Sequence, residues 1–115
     1  MWICLVFLLA GKSPKKEMDT VAAEAFWGWF EEQEMWVIDC LEKSDTAFVW
    51  AIDERLKPVF PYFKGELEFQ LGYNDGIYEF YLYNFGIKRL MRDSEKLGEM
   101  MPLSLKDRWE FICEE

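Results

Sequence analysis

Two alternating apolar runs joined by a glycine-containing turn place the strongest limit on the fold of this chain. From Glu66 to Leu71 polar and apolar side chains alternate strictly, as they do in a strand with one buried face. A second run extends from Ile77 to Phe85, and the intervening Asn74-Asp75-Gly76 supplies residue types that tolerate positive φ. The pattern predicts a β-hairpin. Both faces of its second strand carry apolar or aromatic side chains, which indicates a central strand.

Helical periodicity precedes and follows the hairpin. From Asp19 or Thr20 to Lys43 apolar side chains recur at steps of three and four residues, behind a residue that can cap a helix. Ser44–Asp45 can cap a second helix, which Pro58 ends. The buried stripe expected for this second helix is Phe48, Val49, Ile52 and Leu56. A third helix is expected between the turn at Asn84–Gly86 and the stop signal at Gly98.

The order of these elements predicts the fold class. Arg108–Cys113 alternates once more and is expected to close the chain as a strand. The expected order is (β)ααββαβ, an α+β fold in which an antiparallel sheet of three to four strands packs against about three helices as a two-layer sandwich. A chain of 115 residues has the size of one domain, so a single domain over residues 1–115 is expected.

Residues 1–16 differ in composition from the core domain expected over residues 19–115. Trp2–Ala10 is an unbroken apolar run, and a basic linker with Lys12, Lys15 and Lys16 follows it. The run is too short to span a bilayer as a helix, which takes about 20 residues. Its β-forming residues favour a buried strand and hence a cytoplasmic protein. The alternative is a signal-like segment, with the domain exported or membrane-anchored through residues 1–10.

Composition excludes several kinds of chemistry. The chain has no histidine, so Ser-His-Asp and Cys-His nucleophilic catalysis and His-ligated zinc are excluded. Its three cysteines, Cys4, Cys40 and Cys113, lie tens of residues apart, which favours packed, reduced thiols over a metal or redox site. For Cys40, the adjacent acids Asp39 and Glu42 are expected to raise the thiol pKa. We therefore expect no cofactor, no metal and no catalytic residue, which favours a non-enzyme over an enzyme that uses carboxylates alone.

The charge is strongly negative and unevenly distributed. The net charge is −9, and residues 17–79 carry 15 acids against Lys43, Arg55, Lys57 and Lys64. Such a surface repels phosphate backbones, so a nucleic-acid partner is not expected and a basic protein partner is favoured. The alternative is that the acids only keep an aromatic-rich domain soluble. Oligomeric state does not follow from these features.

One stretch of the chain resembles a known group of proteins. Phe26-Trp-Gly-Trp-Phe-Glu-Glu-Gln-Glu34 opens it, and Leu56–Pro61, Leu67–Gly72, Asn84–Ile87 and Trp109 follow. These segments resemble a group of small, uncharacterised bacterial α+β proteins with an FW-x-WF-x-x-x-E opening helix. The likeness covers about residues 26–112 and implies the fold and a bacterial origin. Those proteins have no known activity, so the resemblance implies no catalytic residue.

Six residues are the candidates for a binding site. Glu31 and Glu34 stand three positions apart on the first helix, where paired carboxylates share a face; a solvated acidic face is the alternative. Trp29 and Trp36 fall one step off the main apolar stripe, and Tyr81 and Tyr83 occupy one face of the second hairpin strand. Trp and Tyr suit surfaces that remain partly accessible. We interpret the chain as a non-enzymatic protein-binding module, immunity-protein-like or an adaptor. The alternatives are a membrane-tethered or exported domain of unknown activity and an enzyme that uses carboxylates alone.

Overall fold

The first helix is the longest element of the fold. A computed structural model of the chain describes residues 17–115, so the strand or signal segment expected before residue 17 lies outside the described residues. Helix α1, Thr20–Glu42, begins where the Asp19 carboxylate accepts hydrogen bonds from the amides of Val21 and Ala22. Helix α2, Ala47–Leu56, follows, and a 3₁₀ turn, Lys57–Val59, leads out of it.

The predicted hairpin is confirmed. Strand β1, Glu68–Asn74, and strand β2, Ile77–Tyr83, pair antiparallel, and the turn residues Asp75 and Gly76 both have positive φ. This geometry is that of the two-residue turn that the right-handed twist of a hairpin prefers. Strand β2 lies between its two neighbours, as its two apolar faces indicate.

The sheet is mixed, and the prediction of an antiparallel sheet is wrong for its last strand. After β2 come helix α3, Lys88–Glu99, the short helix α4, Leu103–Lys106, and strand β3, Trp109–Glu114. Strand β3 pairs parallel to β2. The reason is that α3 carries the chain back to the starting end of the sheet before β3 begins, and such a crossover makes the next strand parallel.

Aromatic side chains hold helix α1 against one face of the sheet. The Phe26 and Phe30 rings lie 6.1 and 5.9 Å from that of Phe80 on β2, and the Trp27 ring lies 5.7 Å from that of Phe111 on β3. The Phe26–Phe80 and Trp27–Phe111 pairs are edge-to-face, an arrangement that contributes beyond the area that the rings bury. The described residues therefore form the expected α+β arrangement in two layers, with the element order ααββαβ.

The core position predicted for Val49 is wrong. Val49 was expected in the buried stripe of α2, but 42% of its surface is exposed, while Phe48 and Ile52 are buried. Phe48 and Ile52 are four residues apart and share a face, whereas Val49 is turned away from Phe48 by about 100°. The contact face of this helix is thus narrower than its apolar composition suggests.

Candidate functional site

Glu34, a predicted binding residue, is buried in a hydrogen-bonded cluster. Its carboxylate accepts hydrogen bonds from Arg108 Nε and Nη2 at 2.6 and 2.8 Å and from Trp109 Nε1 at 3.0 Å. Chiefly because of the hydrogen bond from Arg108, the pKa of Glu34 lies below its ordinary value, although burial opposes this. Since Arg108 immediately precedes β3 and Trp109 begins it, this carboxylate joins the middle of α1 to the start of the last strand.

Glu31 lies on the same side of α1 as Glu34 but remains exposed. Its carboxylate accepts a hydrogen bond from the hydroxyl of Ser104, and the Ser104 carbonyl in turn accepts one from Arg108 Nη2 at 2.7 Å. Both carboxylates therefore contact the segment 104–109, as their three-residue spacing allows. Only Glu31 retains a solvent-facing carboxylate.

The two predicted tryptophans differ in how much surface they present. Trp29 is half-buried, packs 6.4 Å from the rings of Phe26 and Phe30, and has the guanidinium of Arg55 5.3 Å from its own ring centre. Trp36, two turns further along the helix, is 37% exposed. Because Arg55 covers one side of Trp29, Trp36 is the more accessible of the pair.

Tyr81 and Tyr83 lie on a different surface from the α1 residues. Phe80 points to the helices, so its neighbour Tyr81 points to the opposite side of the sheet. We call this side the outer sheet face. By register and alternation it comprises Glu68, Gln70, Ile77, Glu79, Tyr81, Tyr83, Glu110, Ile112 and Glu114. The structure thus separates the six candidates into a helix set and a sheet set.

The outer sheet face is acidic, and the described strands that form it carry no positive charge. Strands β1, β2 and β3 contain no Lys or Arg. The Tyr81 hydroxyl donates to Glu79 at 3.1 Å, and this hydrogen bond is the main reason that the pKa of Tyr81 is raised. The Tyr83 hydroxyl donates to Gln70 at 3.0 Å. Glu79 and Glu110 stand directly opposite each other on neighbouring strands, a placement in which like charges destabilise a sheet.

A groove continues from the outer sheet face around the edge of β1. It has a volume of about 940 Å³ and lies between α2 and β1. We call it the edge groove. Its lining includes Val49, Trp50 and Asp53 of α2 together with Glu66, Glu68 and Phe69 in and just before β1. Trp50 is 71% exposed. Among the described residues that line the groove there is no Lys or Arg.

Sequence reasoning missed the edge groove. Trp50 lies outside the apolar stripe of its helix, which is the same signal that singled out Trp29 and Trp36 on α1. The acids Asp53 and Glu66 lie 13 positions apart in sequence, so only the fold brings them to one groove.

A second buried acid was also missed. Asp93 is 1% exposed and accepts hydrogen bonds from the Tyr62 hydroxyl at 2.7 Å and from Arg92 Nε at 3.0 Å. Burial, followed by the hydrogen bond to Asp93, raises the pKa of the Tyr62 phenol. The available signal was spacing, because Asp93 stands three residues after Leu90 and four before Leu97, both of which are buried. This contact attaches the chain segment before β1 to helix α3.

Both described cysteines carry free thiols. Cys40 is buried and Cys113 is half-buried. Burial is the first cause of the raised pKa of Cys40, and the nearby Asp45 adds to it more than Asp39 does. Burial likewise raises the pKa of Cys113 to about 11. The direction expected for Cys40 is therefore confirmed, with burial as a cause that the charge pattern did not reveal.

Neither a metal-binding cluster nor a membrane-spanning helix occurs in the described part of the chain. In residues 17–115, no three His, Cys, Asp or Glu side chains come close enough to hold a metal ion. Each helix in the same range is too short or too polar to cross a bilayer. The chain matches no protein-family model, no curated protein and no solved structure.

Proposed function

We propose that the chain is a bacterial, non-enzymatic protein-binding module that engages a basic protein partner, as an immunity protein or small adaptor does. The observation that carries the proposal is the outer sheet face, where Tyr81 and Tyr83 are surrounded by four glutamates and the three described strands contribute no basic side chain. A face of this composition attracts a positively charged partner over several ångströms and increases the rate of encounter.

The opposed pair Glu79 and Glu110 supports this reading. Two carboxylates directly across from each other cost stability, and a lysine at either position would remove that cost. Acids that serve solubility alone have no need of such a placement, since the exposed helices offer many positions without an opposed acid. A partner cation bound between the two carboxylates would offset their repulsion.

The tyrosines supply the apolar part of the proposed contact. Both are half-buried, and each hydroxyl is held by a neighbouring polar side chain, which limits the freedom of the ring before binding. Rigid aromatic side chains contribute contact area at a small cost in conformational entropy. In this proposal they form the centre of the interface and the glutamates form its rim.

The helix set makes a smaller contribution to the proposal. The carboxylate of Glu34 is occupied by Arg108 and Trp109, and Trp29 is covered on one side by Arg55. Glu31 and Trp36 are the members of this set that present surface. The proposal also includes a cytoplasmic location, supported by the free thiols of Cys40 and Cys113, because reducing compartments keep thiols unpaired.

Charge reversal on the sheet tests the proposal. The full chain is immobilised, and proteins from a bacterial lysate are captured and identified. A double variant, Glu110→Lys with Glu114→Lys, is expected to release the basic proteins that the unmodified chain retains. Both positions are exposed and neither side chain is hydrogen-bonded within the described residues, so the fold is expected to persist.

The matched control is Glu24→Lys with Glu32→Lys on the exposed side of α1, which changes the net charge by the same amount. It is expected to retain the captured proteins. Equal loss from both double variants would reduce the effect to net charge, and loss from the helix variant alone would move the binding surface to α1. Either result would contradict a partner bound at the outer sheet face.

A further inference from the structure

We propose that the free edge of β1 takes up an extended segment of the partner, with alternating basic and apolar side chains, as an additional strand of the sheet. This inference rests on the proposed function and specifies how the basic partner is held. It depends on three features of the described residues: the unpaired backbone of β1, the aromatic wall beside it, and the sign of the surrounding charge.

The backbone of β1 presents unpaired groups along the edge groove. The Tyr78 amide donates a hydrogen bond to the Arg108 carbonyl at 2.8 Å, so the backbone polar groups of Tyr78 point towards β3. Tyr73, which stands opposite Tyr78 in the register of β1 and β2, therefore forms no backbone hydrogen bonds with β2. Because the pattern alternates along an antiparallel pair, the amides and carbonyls of Phe69, Leu71 and Tyr73 point away from the sheet. No backbone hydrogen bond from elsewhere in residues 17–115 reaches them.

This edge lacks the usual protections against strand addition. Natural edge strands are blocked by lysine, proline, a bulge or a covering element. Strand β1 is seven residues long, contains no Lys or Pro, and pairs with β2 in continuous register from Glu68 to Asn74. The edge groove keeps α2 apart from it by a space of about 940 Å³. An extended chain hydrogen-bonded to such an edge gains main-chain affinity without a fixed sequence.

The walls of the edge groove define the side chains that an added strand would carry. Along an added strand, alternate side chains point to the two sides of the sheet. One set would meet Val49 and Trp50 of α2, which are 42% and 71% exposed, beside Phe69. The other set would meet Glu68 on the outer sheet face. Apolar residues fit the first set and lysine or arginine fits the second.

Charge selects a basic segment over an acidic or neutral one. Asp53, Glu66 and Glu68 line the edge groove. Lys57 pairs with Asp53 at 3.2 Å, whereas none of the ion pairs within residues 17–115 involves Glu66 or Glu68. An acidic segment would meet these three carboxylates and the three other glutamates of the adjoining face, Glu79, Glu110 and Glu114. The groove and the outer sheet face thus form one continuous negative surface, which a basic strand extends across.

The probe is a capped peptide of alternating Lys and Val, added to the full chain and followed by tryptophan fluorescence and by amide hydrogen exchange. We expect saturable binding and new protection at the amides of Phe69, Leu71 and Tyr73. Trp50→Ala and Glu68→Lys are each expected to weaken binding by about tenfold. The matched control Glu32→Lys, exposed on α1, is expected to leave the affinity unchanged.

Two N-methylated peptides distinguish strand addition from simple charge attraction. One is methylated on the Lys amides and the other on the Val amides, so the two have equal charge. Alternate residues of an extended peptide direct their amides to opposite edges, so either the Lys amides or the Val amides face β1, but not both. The peptide methylated on the amides that face β1 is expected to bind about tenfold more weakly or not at all, while the other peptide binds. Equal binding of the two peptides would overturn strand addition. It would not contradict the proposed function, which the variant Glu110→Lys with Glu114→Lys tests separately.

Two further results would also overturn the inference. Failure of every peptide to bind is one. The other is protection of the three outward amides before any peptide is added, since the edge would then already be paired, by residues 2–10 or by a second copy of the chain. Sedimentation of the peptide-free protein separates these two occupants.

Discussion

At the scale of single residues, two carboxylates three positions apart on one helix have different roles. Glu31 remains at the surface with a serine hydroxyl, whereas Glu34 is enclosed by a guanidinium and an indole. A carboxylate with three charge-assisted or buried hydrogen bonds is stabilising only while all its partners remain. The same applies to Asp93, whose partners are a phenol and a guanidinium.

Glu34→Gln is expected to lower the free energy of unfolding by about 2 kcal/mol, the range for a hydrogen-bonded buried charge. The amide nitrogen would face one of the Arg108 donors and leave it unpaired. Urea denaturation followed by tryptophan fluorescence measures the change. Glu31→Gln, one turn earlier and exposed, is the control, and an equal loss for both variants would contradict the assigned role of Glu34.

The contribution of Glu34 is expected to depend on pH with a definite sign. Its folded pKa lies below the ordinary value of 4.5, so the carboxylate stabilises the fold above that pH, and the effect is lost as the pH falls through the folded pKa. The difference in unfolding free energy between the unmodified chain and Glu34→Gln should therefore be constant near neutral pH and shrink below about pH 4.5. Both proteins carry the same other acids, so the difference isolates Glu34. A difference that grows in acid would show the opposite shift.

Tyr62→Phe is expected to lower the free energy of unfolding by about 1 to 2 kcal/mol, because it leaves one oxygen of the buried Asp93 without its donor. Thermal or urea unfolding measures this loss. Tyr83→Phe removes a phenol hydroxyl whose acceptor, Gln70, is exposed, so it serves as the control with a small effect. Similar losses of unfolding free energy in the two variants would show that the hydrogen bond from Tyr62 to Asp93 contributes no more to stability than the exposed one from Tyr83 to Gln70.

At the scale of elements, close approach between helices and strands determines which positions tolerate a side chain. Helix α1 touches α3 through the Trp27 indole, which donates to the Leu97 carbonyl at 2.9 Å. Helix α3 in turn lies so near β3 that a Cβ on Gly98 would come within 2.8 Å of the Phe111 ring. Gly28 on α1, by contrast, has open space around it.

The two glycines give opposite expectations for the same substitution. Gly28→Ala should raise the free energy of unfolding by about 0.5 to 1 kcal/mol, because alanine has the better helix propensity and nothing obstructs its methyl group. Gly98→Ala should lower it, because the methyl group would displace the Phe111 ring from the core. Thermal unfolding of both variants decides the matter, and stabilisation by Gly98→Ala would show that α3 and β3 can separate without cost.

At the scale of the whole molecule, charge and layering act together. Helices cover one side of the sheet in the described structure, and the other side carries four glutamates without a compensating cation. A net charge of −9 adds a general repulsion to this local one. The outer sheet face is therefore where a gain in stability and a loss of the proposed binding should coincide.

Glu110→Lys is expected to raise the free energy of unfolding by about 0.5 kcal/mol, because the opposed like charges of Glu79 and residue 110 become an attractive pair. Glu32→Lys makes the same change of net charge on α1 and controls for the general repulsion. Urea unfolding at low salt measures the difference, which should diminish near 1 M salt, where the screening length is about 3 Å. Equal stabilisation by both variants would assign the effect to net charge alone.

Local sequence patterns are sufficient to predict the elements and most of their faces. The hairpin follows from strict alternation around Asn74-Asp75-Gly76, and α1 from a stripe that begins after a capping aspartate. These are local properties, because strand and helix periodicities and turn geometry depend on neighbours within a few residues. The candidate residues Tyr81 and Tyr83 were likewise placed on one face by alternation alone.

How those elements pack against one another follows from long-range contacts in the folded chain. The direction of β3 depends on the end of the sheet to which α3 returns the chain. The burial of Glu34 depends on Arg108 and Trp109, which are more than 70 residues away in sequence. The edge groove exists because α2 and β1 lie side by side. Each of these contacts is long-range, and the periodicity of a segment does not indicate which other element its apolar face will contact. An acidic residue on a helix therefore gives the same sequence pattern whether its carboxylate contacts water or a guanidinium. The packing of distant elements determines which of the two it contacts.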